Sequence, residues 1–148
     1  IFGTYVPDLF EKRLQTLKLC LRKHGFRNAF LVADFPDSPK LHSDTEIHFQ
    51  RKSFHYMTEW AQVLIFVYFN GADNQGVTRE LSHMIEKEIE KTVVTTILRD
   101  ERLRLSSMIR ADIKGYRVFE DTYKDDKTLC EAAVAFCRNM VYRLYDVL

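Results

Sequence analysis

At 148 residues and 46% hydrophobic, the chain fits a single domain spanning 1–148 with an ordinary core. Its 22 basic and 21 acidic residues leave a net charge of +1, which argues against a global field of the kind nucleic-acid binders carry. Its apolar runs have strand length, far short of a membrane span, and no secretory leader is visible. Cys20, Cys130 and Cys137 form an odd set without metal-ligand spacing, so the expectation is reduced thiols in a cytoplasmic protein.

In chain order, "IFGTYV" reads as the end of a first strand, broken by Pro7 and Asp8. Asp8 and Glu11 have capping-box spacing, Phe10, Leu14, Leu17 and Leu21 recur at helical intervals, and Gly25 is the expected stop. "NAFLVADF" is a second predicted strand ending at Pro36, followed by a polar surface loop over 36–49 and a helix over 50–60. The third strand, "QVLIFVYF", is apolar on both faces, the pattern of a central parallel strand covered on both sides. Gly76 opens a helix with Val77, Leu81, Met84 and Ile85 inward, and "TVVTTIL" and "YRVFED" supply strands four and five. Asp125 or Asp126 caps a last helix that turns Leu129, Ala133, Phe136, Met140 and Leu144 inward, with Cys130 and Cys137 as small core-facing groups. Alternating strands and helices predict an α/β domain: a three-layer, Rossmann- or flavodoxin-like, five-stranded and mostly parallel sheet.

Ligands of such sheets bind beyond the carboxyl ends of the strands, where strand order reverses, and here the loops at 1–8 and 70–80 fall there. There is no G-x-G-x-x-G and no G-x-x-x-x-G-K-[ST], so neither common phosphate cradle is present. Glu80 and His83 make one E-x-x-H pair, and His55 with Glu59 a similar lone pair; a two-metal bundle needs a second copy. No metal and no cofactor is expected. Glu80 falls in the predicted first turn of its helix, where the macrodipole favours an anion by about 0.3–1 kcal/mol. That position predicts a carboxylate ionised at neutral pH and suited to nucleophilic attack, although an ordinary surface acid has the same spacing.

"GVTREL" after an apolar strand resembles the G-V-x-x-E-L signature of the nucleoside 2-deoxyribosyltransferase superfamily. "LSSMIRAD", residues 105–112, is similar to the L-S-x-M-I-R segment of its 2'-deoxynucleoside 5'-phosphate N-hydrolase branch. "EWAQVLIFV" resembles the passage before the signature, and Gly3-Thr4 the Gly-Ser at the end of the family's first strand. The resemblance implies that Glu80 attacks C1' of a deoxyribosyl group and that Ser106 holds a 5'-phosphate across a homodimer interface. Arg110 matches the motif arginine, and Gly3, Thr4, Tyr5, Asp73 and Gly76 would lie at the substrate. The family's general acid, an aspartate, falls here on Ser53-Phe54-His55, which has no carboxylate; His55, or Glu59 with some shift, is the candidate substitute, and neither matches the motif. Its phosphate loop is replaced by Tyr5-Val6-Pro7-Asp8, and the turn "NGADNQG" is longer than the family's. The implied activity is hydrolysis or base exchange at the N-glycosidic bond of a deoxynucleoside or its monophosphate. The alternative is a nucleotide-binding or sensing module, including TIR-like recognition of nicotinamide nucleotides. The expected partners are therefore a small nucleoside or nucleotide and a second copy, through the arginine-rich "RDERLRLSSMIR"; no nucleic acid and no membrane is expected.

Overall fold

The computed structural model describes residues 1–34, 52–55 and 59–146. The predicted loop at 36–49, and residues 50, 51 and 56–58 of the predicted helix, lie outside the described residues. Helix α1 (Asp8–Lys23) buries the expected stripe of Phe10, Leu14, Leu17 and Leu21. The expected capping box is absent: Pro7 takes the N-cap position, so Asp8 and Glu11 serve instead as first-turn charges against the helix dipole. The helix closes at Gly25, whose φ of +100° allows Phe26 N–H to reach Leu21 O and Gly25 N–H to reach Arg22 O.

Three parallel strands follow, β1 (Leu64–Tyr68), β2 (Thr95–Asp100) and β3 (Phe119–Tyr123), in the order β1-β2-β3. Helix α2 (Gln75–Lys87) and a 3-10 turn over Ile89–Val94 link the first pair, and helix α3 (Ser107–Gly115) links the second. Helix α4 (Asp126–Asp146) ends the domain, with Asp125 Oδ1 accepting from Thr128 N–H at its start.

The α/β class and the parallel arrangement hold, but among the described residues the sheet has three strands rather than five. The first predicted strand contributes only Phe2, which bridges Phe66 by accepting from Val67 N–H and donating to Ile65 O, both at 2.8 Å. Beyond Phe2 the chain leaves the sheet: Gly3 packs so tightly that a Cβ would stand 2.8 Å from Leu14 Cδ2. Thr4 Oγ1 is meanwhile tied to Asp73 O at 2.9 Å. The second predicted strand is replaced by a 3-10 turn, Val32–Asp34. Its backbone is diverted by Asp34, whose carboxylate accepts from Leu31 N–H and from Lys18 Nζ, both at 2.7 Å. Among the described residues "QVLIFVYF" is also not the middle strand; β2 is, and β1 has only the Phe2 bridge on its outer side.

The two-sided burial of β1 is as expected. Leu64, Phe66 and Tyr68 join the core under α2 and α3, while Ile65, Val67 and Phe69 join the core under α1 and α4. β3 is exposed except for Tyr123, whose hydroxyl donates to Tyr68 O at 2.9 Å and ties the ends of two strands together. On α4, Leu129, Ala133, Phe136 and Met140 are buried as predicted, but Leu144 is 49% exposed. Cys20 of α1 and Cys130 of α4 are joined as a disulfide, with Cα atoms 6.1 Å apart, which corrects the expectation of three thiols; only Cys137 is free, and it is buried. The packing of α1 against α4 makes this pairing, and no local spacing announces it. No helix among the described residues is long and apolar enough to cross a membrane.

Phe66 has no exposed surface and stacks on Phe2 with ring centroids 4.8 Å apart. Phe66→Ala is expected to cost about 3–5 kcal/mol in urea unfolding, whereas Leu144→Ala stays within about 0.5 kcal/mol. Equal losses would contradict the placement of the two side chains.

Candidate functional site

The polar crest after β1 is organised mainly to satisfy its own backbone. Asn74 Nδ2 donates to Phe69 O (2.9 Å) and Ala72 O (3.2 Å), and its Oδ1 accepts from Phe69 N–H (3.3 Å). Asp73 Oδ1 accepts from Gln75 N–H at 3.0 Å, and Gly71 supplies the left-handed turn with φ +79°. Thr4 reaches Asp73 O, so these two candidate residues are brought together. Gly76 faces open space, with nothing within 4 Å of an added Cβ, so the protein's own packing does not require a glycine there. A shallow cavity of about 390 Å³ lies beside it, lined by Asn74, Gln75, Thr78 and Arg79, without Glu80.

Glu80 is placed differently from expectation. Helix α2 starts at Gln75 with no acid in its first turn, so Glu80 lies a turn further in, beyond most of the dipole's reach. Its neighbours in sequence, Val77, Leu81 and Met84, define the buried face, and the helical period carries Glu80 in with them at 6% exposure. Burial pushes its carboxyl from the ordinary 4.5 up to about 7, against the Ser53 hydroxyl and the Ile1 amino group, which both favour the ionised form. The expectation of full ionisation at neutral pH is thereby corrected.

The surroundings of Glu80 are phenolic. Burial raises the Tyr68 hydroxyl to about 12, the Thr78 hydroxyl at 3.3 Å lowers it, and Glu80 adds to the rise. Burial first, and Glu80 second, push the Tyr5 hydroxyl up as well. Ser53 is fully buried and close enough to act on Glu80, although it makes no hydrogen bond of normal geometry. Ser53, Tyr5 and Tyr68 thus share the electrostatic environment of Glu80. Of these, Ser53 and Tyr68 escape sequence reasoning. One signal was available for Tyr68: a tyrosine closing a buried strand must find a partner for its hydroxyl.

His55 lies on the opposite side of its segment from Ser53, 55% exposed, with Nδ1 4.0 Å from Glu59 Oε1. Between them Phe54 stacks flat on His83, ring centroids 3.7 Å apart, so His83 serves as a packing surface for this segment. Ser106 is the N-cap of α3; its Oγ accepts from Ile109 N–H at 3.3 Å, a structural task that accounts for part of the "LSSMIR" pattern. Arg110 is exposed, its backbone N–H bonded to Ser106 O. Of the arginines around it, Arg102 forks onto the buried Asp100 (2.9 and 2.7 Å) and Arg99 pairs with Glu120. Because Tyr68 of β1 is in register with Arg99 of β2, the starts of α2 and α3 lie along the same carboxyl edge of the sheet.

Comparison of the chain with protein-family models, with curated proteins and with solved structures finds no match.

The raised carboxyl of Glu80 has a stability consequence with a defined sign. In the unfolded chain it ionises near 4.5, and in the folded chain only near 7, so the folded state holds the proton more tightly. Stability is therefore full below about pH 4.5 and falls as pH rises to about 7, by on the order of 3 kcal/mol. Glu80→Gln is expected to remove this fall, leaving the variant more stable than wild type at pH 8 in urea unfolding. Parallel pH profiles for the two proteins would contradict the burial of this carboxyl.

Proposed function

We propose that the chain binds a nucleoside or nucleotide and cleaves or exchanges its N-glycosidic bond, with Glu80 as the nucleophile at C1'. One observation carries the proposal: a carboxylate buried to 6% exposure and balanced near pH 7, set among Tyr5, Tyr68 and Ser53 in the second turn of α2. The signature resemblance at "GVTREL" supports the same residue. A desolvated carboxylate attracts a developing oxocarbenium ion far more strongly than a hydrated one. The approaching positive charge would in turn favour loss of the Glu80 proton. The C1'–N bond breaks as the C1'–O bond to Glu80 forms, the departing base takes a proton from water, and water or a second base then breaks the C1'–O bond and frees Glu80.

In this proposal a second copy completes the site. Ser106 starts a helix whose first N–H groups offer a phosphate site, and Met108, 70% exposed, gives that face an apolar anchor. A cytoplasmic setting belongs to the proposal too, and would keep Cys20 and Cys130 reduced in the cell. The second reading, a nucleotide-binding or sensing module without turnover, draws support from two features: Glu80 is almost closed off, and His55 is turned toward Glu59.

Base release from deoxynucleosides and their monophosphates tests the first reading. kcat/KM is expected to rise with pH through about 7 and then level, since only the ionised carboxylate attacks. Glu80→Gln should lower kcat about a thousandfold or more while ligand binding persists. Binding without any base release from wild type would replace the hydrolase reading with the sensing one.

Ser106→Ala is expected to weaken phosphorylated ligands by about 1–3 kcal/mol relative to unphosphorylated ones. Sedimentation should show a dimer at micromolar concentration, and a monomer there would remove the shared site.

A further inference from the structure

We propose that Cys20, His24 and Cys130 bind a borderline-soft divalent cation such as Zn(II) when the chain is reduced, so that metal and disulfide are alternative occupants of the same two sulfurs. Cys20 and His24 sit four residues apart at the end of α1, and Cys130 lies across from them near the start of α4. One ligand atom from each of the three falls within 4.8 Å of the others. Tetrahedral zinc, with Zn–S of about 2.3 Å and Zn–N of about 2.0–2.1 Å, needs its ligands roughly 3.5–3.8 Å apart. Side-chain rotation alone can supply that geometry, because the two helices already hold the cysteine Cα atoms at 6.1 Å.

The surroundings suit a metal as well as the distances do. His24 Nδ1 stands 3.8 Å from Cys20 Sγ and donates to Cys20 O at 2.9 Å, so the ring already lies at the sulfurs and Nε2 carries the lone pair that would turn onto the cation. A backbone carbonyl holding the other nitrogen is the usual outer-shell partner of a metal-bound histidine. On one side the site opens into a cavity of about 390 Å³, lined by His24, Cys130, Glu131, Lys127 and Arg138 among others. The fourth position faces this cavity and is open to water or to the Glu131 carboxylate, which is 61% exposed and only 3.9 Å from Lys127 Nζ.

The exchange between the two states balances. An external dithiol delivers two electrons and two protons, the S–S bond breaks, and the reductant becomes a disulfide. The cation then forms two bonds to sulfur and one to nitrogen as both thiol protons leave to water. In the opposite direction a small-molecule disulfide accepts the two electrons, the S–S bond re-forms, and the cation is expelled. Either occupant cross-links α1 to α4 across a sequence separation of 110, so the seam stays closed whichever is present. This site lies at the α1–α4 seam and does not depend on the function proposed for Glu80.

Anaerobic titration of the fully reduced protein with Co(II), read by the thiolate-to-cobalt charge-transfer band, tests the proposal. One Co(II) per chain is expected in reduced wild type and in Cys137→Ser, and none in the oxidised protein. Cys20→Ser and Cys130→Ser should lose the band, and His24→Ala should weaken binding about tenfold or more. Equal titrations for reduced wild type and Cys20→Ser, or for reduced and oxidised wild type, would overturn it. A second measurement needs no variant: a small-molecule disulfide added to the zinc-loaded, reduced chain should release one Zn(II) for each Cys20–Cys130 bond formed. Bond formation without zinc release overturns the proposal equally.

Discussion

The structure rests on the requirement that Leu64 through Phe69 be covered on both faces at once. All six are at most 3% exposed, and each contributes roughly 1.5–3 kcal/mol of burial, so together they rival the net stability of a whole domain. Successive side chains point to opposite faces, so one core forms under α2 and α3 and another under α1 and α4. The parallel partner β2 follows from the same need, since a chain returning to pair in parallel must cross over through a helix. That crossover is α2, and its inward face carries Glu80 into the interior.

Glu80 is therefore held where local and global preferences disagree. The helical period that buries Val77, Leu81 and Met84 buries a carboxyl with them. The protein resolves the conflict partly by protonation, at about 7, and partly through Ser53. Asp100 shows the other resolution on the same sheet: its side chain is equally inaccessible, but Arg102 forks onto it and holds its carboxyl below the usual range. Of these two carboxyls the ion-paired one is a structural fixture, while the other keeps a proton that can be exchanged near neutral pH. Buried groups of the second kind concentrate at functional sites.

The two proposed sites draw on different cores only in part. Tyr68, whose hydroxyl feels the Glu80 charge, belongs to the core under α2 and α3, whereas Cys20 and Cys130 pack against the core under α1 and α4. A change of sulfur redox state acts on the seam between α1 and α4, and Ile1 and Tyr5, which lie within the electrostatic reach of Glu80, pack against the same core.

The sequence by itself determined the elements whose signal is periodic and local. The stripe of α1, the inward face of α2, the two-sided β1 and the Asp125 cap of α4 are all found where spacing puts them, because each depends on residues within a few positions. Strand number was not legible. "NAFLVADF" has strand composition, but Asp34 captures Leu31 N–H and Lys18 from another element, and a turn forms instead. The environment of Glu80 was not legible. The spacing of Glu80 suggests a first-turn surface acid; its burial depends on where α2 begins and on Ser53 arriving from a distant segment. Disulfide pairing was beyond sequence for the same reason, since only the docking of α1 on α4 brings position 20 to position 130. Local patterns encode which face of an element is apolar; which elements meet, and so which polar groups lose water, is decided only when the layers pack.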